Sequence, residues 1–184
     1  MAAPQRRWAA ELLHFWFHAL SPQQRFAVNP AVDAQLRRRF ASDLAALRTR
    51  PVAEFLAGPL DVLAAVILFD QLPRNLFRGT PRAFATDPRA RQLAKAAHAK
   101  GLDRALTAEQ RQFLAMPLMH SEDHADQLMA LRIYARLGLR HGWPFARDHA
   151  RMVARFGRFP HRNPVLGRAS TAAELRAVAA GNHW

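Results

Sequence analysis

Pro59-Leu60-Asp61-Val62-Leu63-Ala64-Ala65-Val66-Ile67-Leu68-Phe69-Asp70-Gln71-Leu72 is the stretch on which the fold turns. Proline suits the first position of a helix, where its missing N–H would have no partner anyway. The residues after it, Leu60 to about Leu72, are apolar nearly all round, the pattern of a helix buried in protein on every side. The uninterrupted apolar run, Val62 to Phe69, is far short of the roughly 18 residues that span a bilayer. What surrounds this helix must be other helices, because no alternating strand pattern or Asn-Gly hairpin signal occurs anywhere.

Working outward, each neighbour carries its own punctuation. Pro4 can open a first helix to about Leu20, with Trp8, Leu12, Phe15 and Ala19 at helical spacing. Asn29-Pro30 reads as a cap followed by proline, and places Val32, Leu36, Phe40, Leu44 and Leu47 on one face. Asp87-Pro88 repeats that signal, and Gly101 suits the left-handed position after a helix end. Thr107-Ala108-Glu109-Gln110 is a capping box whose helix Pro117 should limit. A long helix from Ser121 to Leu137 ends at Gly138, another runs from Pro144 to Gly157, and Thr171-Ala172-Ala173-Glu174 caps the last. The expectation is an all-α fold of about seven or eight helices, in a single domain over residues 1–184. Pro51 to Pro59 is too short to be a linker, and no fixed-period sequence repeat is visible.

The chain has no cysteine, which excludes disulfides, thiolate metal sites and cysteine nucleophiles. Glu11 and His14 interrupt the segment after Arg6-Arg7, so no secretory leader is read and a soluble cytoplasmic protein without membrane insertion is expected. The net charge is +13, from 27 basic and 14 acidic residues, and only Lys95 and Lys100 are lysine. Such charge attracts nucleic acid without sequence preference. The arginines are scattered rather than blocked, and no nucleic-acid module accompanies them.

Three polar constellations stand out. In Asp70-Gln71-Leu72-Pro73-Arg74-Asn75, Pro73 should end the central helix and leave Asp70 in its last turn. A carboxylate there faces the negative helix end, at a cost of about 0.3–1 kcal/mol, and calls for a cation such as Arg74 or a group of the 155–168 loop. In His120-Ser121-Glu122-Asp123-His124, acids favour a helix start. His120 with Asp123 or His124 has metal-ligand spacing, with Asp70, His149 or His161 as conceivable further ligands. In Arg155 to Arg168, prolines 160 and 164 and glycines 157 and 167 suit an ordered loop that holds Arg158, His161, Arg162 and Asn163 in set directions. Its arginines could bind an anion, or simply bond helix ends and Asp70. Gly-x-Ser-x-Gly, Walker and dinucleotide motifs are absent.

These same segments carry a resemblance. Leu13-His14-Phe15-Trp16-Phe17, then Ile67 to Thr80 continuing through Pro81-Arg82-Ala83-Phe84-Ala85-Thr86-Asp87, then Phe113 to Asp123 and Arg155 to Arg168, together resemble the bacterial domain-of-unknown-function 924 family over nearly the whole chain. The resemblance implies an all-α fold with tetratricopeptide-like antiparallel helix packing, and it carries no catalytic roles. Two residues depart from the family pattern: Arg25, where tryptophan is usual before Phe26, and Ala115, where an aromatic usually precedes the Met-Pro step. Both changes should reshape a local surface or pocket.

The resulting expectation is a binding module. Asp70, Arg74, Asn75, His120, Glu122, Asp123, Arg158, His161, Arg162 and Asn163 converge on a pocket for a small anionic ligand or a peptide carboxylate. The rivals are a hydrolase using carboxylate and histidine, with or without a metal, and nonspecific nucleic-acid binding. A purely structural role for the same polar groups is a further reading. Whether a cofactor takes part is left open by the sequence.

Overall fold

The computed structural model describes residues 6–181. Helix α1 (Arg7–His14) runs on through a π-helical turn (Phe15–Ala19). The single turn α2 (Pro22–Phe26) and the long α3 (Pro30–Leu47) follow. The central helix α4 (Pro59–Val66) passes through a second π-helical turn (Ile67–Gln71) into α5 (Leu72–Leu76). Then come α6 (Asp87–Ala99), α7 (Ala108–Met119), α8 (His124–Leu137), α9 (Trp143–Phe156) and α10 (Ala172–Ala179). The described residues contain no strand.

Val62 through Phe69 are all fully buried, as an all-round apolar helix requires. α1, α6 and α7 pack on α4, and α3 packs on α5. α7, α8 and α9 then pack successively on one another, each joined to the next by a short connection. A satellite cluster of Met152, Val153, Phe159 and Ala177, with Phe156 against it, anchors the loop after α9.

Most of the punctuation works as read. Asn29 Oδ1 accepts from the Ala31 and Val32 amides, and α3 buries Val32, Leu36, Phe40 and Leu44. Thr107 and Thr171 form reciprocal capping boxes with Gln110 and Glu174. Gly157 ends α9 at φ +68°, the left-handed conformation that glycine adopts without strain. The helix start at Pro4 lies outside the described residues.

The departures have physical causes. Ala19 is exposed and Leu20 is buried in its place, because the π turn inserts one residue and the Leu20 amide bonds back to Phe15. Pro73 does not end the central helix; it sits at the start of α5, directly after the π turn. Pro117 lies inside α7 rather than ending it. α8 begins at His124, not Ser121, because the Asp123 carboxylate is its cap and accepts from the Asp126 amide at 3.1 Å. Thr86, not Asp87, occupies the cap position of α6, and neither side chain caps it. Both are engaged elsewhere.

Candidate functional site

The site grows out of the π turn. In an α-helix the amide of residue 73 would bond the Phe69 carbonyl, but proline has no N–H. The Thr86 hydroxyl donates to that carbonyl instead, at 2.5 Å. Arg74 Nη1 donates to the Asp70 carbonyl at 2.6 Å, and Asn75 Nδ2 to the Gln71 carbonyl at 3.0 Å. Side chains thus satisfy backbone acceptors at the irregularity, as buried polar groups require.

The Asp70 carboxylate is fully buried, so it must be paired. Gln71 Nε2 donates to it at 2.6 Å, His120 Nδ1 lies 2.9 and 3.0 Å from its two oxygens, and Arg74 Nη1 lies at 3.4 Å. Burial opposes ionisation, but Arg74 and His120 outweigh it and hold Asp70 at about 2. Burial in turn lowers His120 below its ordinary value, against the pull of Asp70. At neutral pH Asp70 is therefore ionised and the imidazole neutral. Its one proton belongs on Nδ1, facing the carboxylate, which places the lone pair on Nε2. Burial, with His120 beside it, also pushes His149 down to about 3, and its Nδ1 is 2.8 Å from the Phe145 carbonyl one turn back.

Beyond this cluster opens a cleft of about 760 Å³, within the range of small-molecule sites. Its walls come from the end of α2, the π turn and α5, α7, α8, the start of α9 and the loop after it. Five arginines line it, Arg25, Arg74, Arg78, Arg140 and Arg162, together with His120, His149 and His161. Among the described residues that line it there is no carboxylate. Three of the arginines are neutralised from behind. Arg25 Nη1 bonds Glu109 at 2.5 Å, Arg74 makes a two-pronged pair with Asp87 at 2.8 and 2.9 Å, and Arg78 reaches Asp33 at 3.2 Å. Asp87 is thus drawn to Arg74 rather than to its own helix start.

Arg162 differs. It is only 7% exposed, and its guanidinium lies over the rings of Phe84 at 4.8 Å and Phe159 at 4.5 Å. Among the described residues its nearest carboxylate oxygen, on Asp87, is 3.7 Å away, beyond hydrogen-bond length, and its buried Nε has no hydrogen-bond partner. Burial, then the neighbouring Arg74, lower it to about 10, so it stays charged at neutral pH.

Of the residues expected at the site, Arg74, Asn75, His120, His161 and Arg162 line the cleft, and Asp70 lies directly behind His120. The other four do not line it. Glu122 accepts from Arg168 at 2.7 and 2.9 Å and from the Phe159 amide at 2.8 Å, which straps the loop to the start of α8. Arg158 donates twice to Glu174, at 2.6 and 3.0 Å. Asp123 is the cap of α8, and Asn163 is buried with its Nδ2 on Ser170 Oγ at 3.0 Å. Arg74, one of the cations expected, does stand beside Asp70, and the neutral His120 ring is the other close partner of that carboxylate. Ser121 donates to Asp126 at 2.8 Å and is no partner of the histidine–aspartate pair. No group of three or more His, Asp or Glu is arranged to hold a metal among the described residues.

The residues that went unnamed as pocket walls are mostly apolar or singly placed: Phe26, Met116, Tyr134, Leu139 and Phe145, with Gln71, Gln112 and Arg78. The Tyr134 hydroxyl donates to the Gln112 carbonyl at 2.9 Å, and burial pushes its titration well up. Arg25 was legible as a departure from the family pattern, and it does line the cleft; Ala115 is buried in the core instead.

The family model for a bacterial protein of unknown function, DUF924, matches residues 12–182. The chain belongs to DUF924. A solved structure of a protein of unknown function from Agrobacterium tumefaciens is similar to it, with 38% identity and a TM-score of 0.89, over 94% of this chain and 97% of that one. No curated protein matches. The fold of this DUF924 chain is thus shared with a relative across almost its full length. No helix among the described residues is long and apolar enough to cross a membrane.

Proposed function

We propose that the cleft binds a small anionic ligand, with Arg162 as the principal contact and His120 and Arg140 beside it. One observation carries this reading. Arg162 is a buried, charged guanidinium without a hydrogen bond, on the wall of a cleft that has no carboxylate among its described residues. Desolvating such a group without a partner is costly, and a ligand oxyanion meets that need with a charge-assisted pair. Arg140, exposed at the cleft, has no carboxylate partner among the described residues and adds attraction. Titration with inorganic phosphate and with acetate, followed by thermal shift and calorimetry, tests it. Anions should raise the melting temperature of the wild-type chain, and Arg162→Gln should weaken binding about tenfold or more. Equal binding by the variant would refute the reading.

A second reading rests on the Asp70–His120 pair. A neutral imidazole held by a carboxylate, with its lone pair on the ring nitrogen away from that carboxylate, is equipped to take a proton from water. The described cleft residues include no serine or threonine, so such chemistry would be hydrolysis by activated water. Turnover of p-nitrophenyl phosphate or acetate that disappears in His120→Asn would favour it. The same rate in both proteins would dismiss it.

A further inference from the structure

We propose that the ligand is an amphiphile, a monocarboxylate with an extended apolar body, whose head meets Arg162 and whose tail lies along the apolar mouth of the cleft. This rests on the anion reading above.

The rim of the cleft is apolar. Phe26, Leu139 and Phe145 are 58%, 75% and 57% exposed, and all three line this one cleft. Scattered single apolar residues need no explanation, but several gathered round one opening mark a binding surface. Leu139 belongs to a short turn, Leu139–His141, bracketed by Gly138 at φ +82° and Gly142 at φ +91°. The backbone therefore presets its outward position. Gly142 also allows close packing: a Cβ there would stand 3.2 Å from the Tyr134 ring.

Burial increases from rim to floor. Helix α9 carries Phe145 at the rim and His149, almost fully buried, one turn deeper. That turn spans about 6 Å. The cleft lining also includes Met116 and Met119, flexible side chains that adapt to an apolar guest. Apolar surface leads inward to a cation.

The charges of the lining favour a single negative head. Arg25, Arg74 and Arg78 hydrogen-bond to carboxylates, which leaves Arg162, 3.7 Å from Asp87, as the buried guanidinium of the lining without a hydrogen bond among the described residues. A singly charged planar head fits one guanidinium fork, whereas a polyphosphate would need several uncommitted cations.

The experiment is calorimetric titration of the full chain with acetate, octanoate, octylammonium and inorganic phosphate. Each methylene moved from water to apolar surroundings is worth up to about fourfold in affinity. Octanoate should therefore bind about a hundredfold tighter than acetate or more, and octylammonium should not bind. Leu139→Ser with Phe145→Ser, both at exposed positions, should bring octanoate close to acetate, lowering octanoate affinity far more than acetate or phosphate affinity. Arg162→Gln should abolish the preference for octanoate over octylammonium. If phosphate and acetate bind while chain length has no effect, or octylammonium equals octanoate, the amphiphile is wrong and the anion site stands. If no anion binds, both fall.

Discussion

Arg158 and Arg162 lie four residues apart in one loop, and their surroundings are opposite. Arg158 forms a double hydrogen bond with Glu174 and a third bond with the Ala169 carbonyl, and so ties α10 to the body. Arg162 is buried between two rings and has no hydrogen bond. The first arginine is complete within the chain, while the second has only a distant carboxylate and no hydrogen bond among the described residues. Similar residues in a similar loop are thus told apart by where the carboxylates are, a property of the folded state. The same division separates Glu122, which straps the loop through Arg168, from Asp70, which sets up the floor of the cleft.

The sharpest way to break this contrast is at Asp70. Asp70→Asn leaves Arg74 and His120 around an uncharged amide in a dry site, and should lower stability by about 3–5 kcal/mol in urea unfolding. A loss no larger than a surface pair would give, under about 1 kcal/mol, would contradict the buried floor.

Acid should reach the floor in two stages. Folded His149 takes a proton only near pH 3, whereas an unfolded histidine does so near 6.5, so its contribution declines as pH falls from 6.5 toward 3. Folded Asp70 protonates near pH 2 against 3.8 unfolded, so its contribution, about 2 kcal/mol, holds above pH 4 and is lost as pH falls to about 2. In urea melts across pH, His149→Gln should flatten the upper stage and Asp70→Asn the lower.

The two arginines themselves should then diverge. Arg158→Met should lower the urea midpoint by less than Asp70→Asn does, while anion affinity stays unchanged. Arg162→Met keeps the stacking volume and removes a buried charge that has only a long ion pair, so stability should stay within about 1 kcal/mol of wild type or rise while anion affinity falls. Opposite outcomes for the pair would reverse the assignment.

The helical architecture was legible because each helix announces itself locally. Asn29-Pro30, Thr107 to Gln110 and Thr171 to Glu174 act through atoms three residues apart, and α4 shows its central place by apolar residues on every face. The site was legible only in part, because its partners are remote. Glu109 is 84 residues from Arg25, and His120 is 50 from Asp70. Nothing local marks Phe145 or Leu139 as cleft walls, since a lone apolar residue near a helix start looks the same wherever it faces. Pro73 misled because a proline normally ends a helix, and the rescue of Phe69 by Thr86 comes from 17 residues downstream.

The π turn at Ile67–Gln71 also sets the angular phase of the chain beyond it. It holds one residue more than an α-helical turn, and one residue is about 100° of rotation. Deleting a single residue there would leave composition and apolar content almost untouched. It would swing Arg74 and Asn75 about a quarter-turn round the helix axis, away from His120 and the cleft. The number of residues between Asp70 and Arg74 therefore fixes the floor, and a one-residue gap in a relative at this point would mark a chain with a different floor.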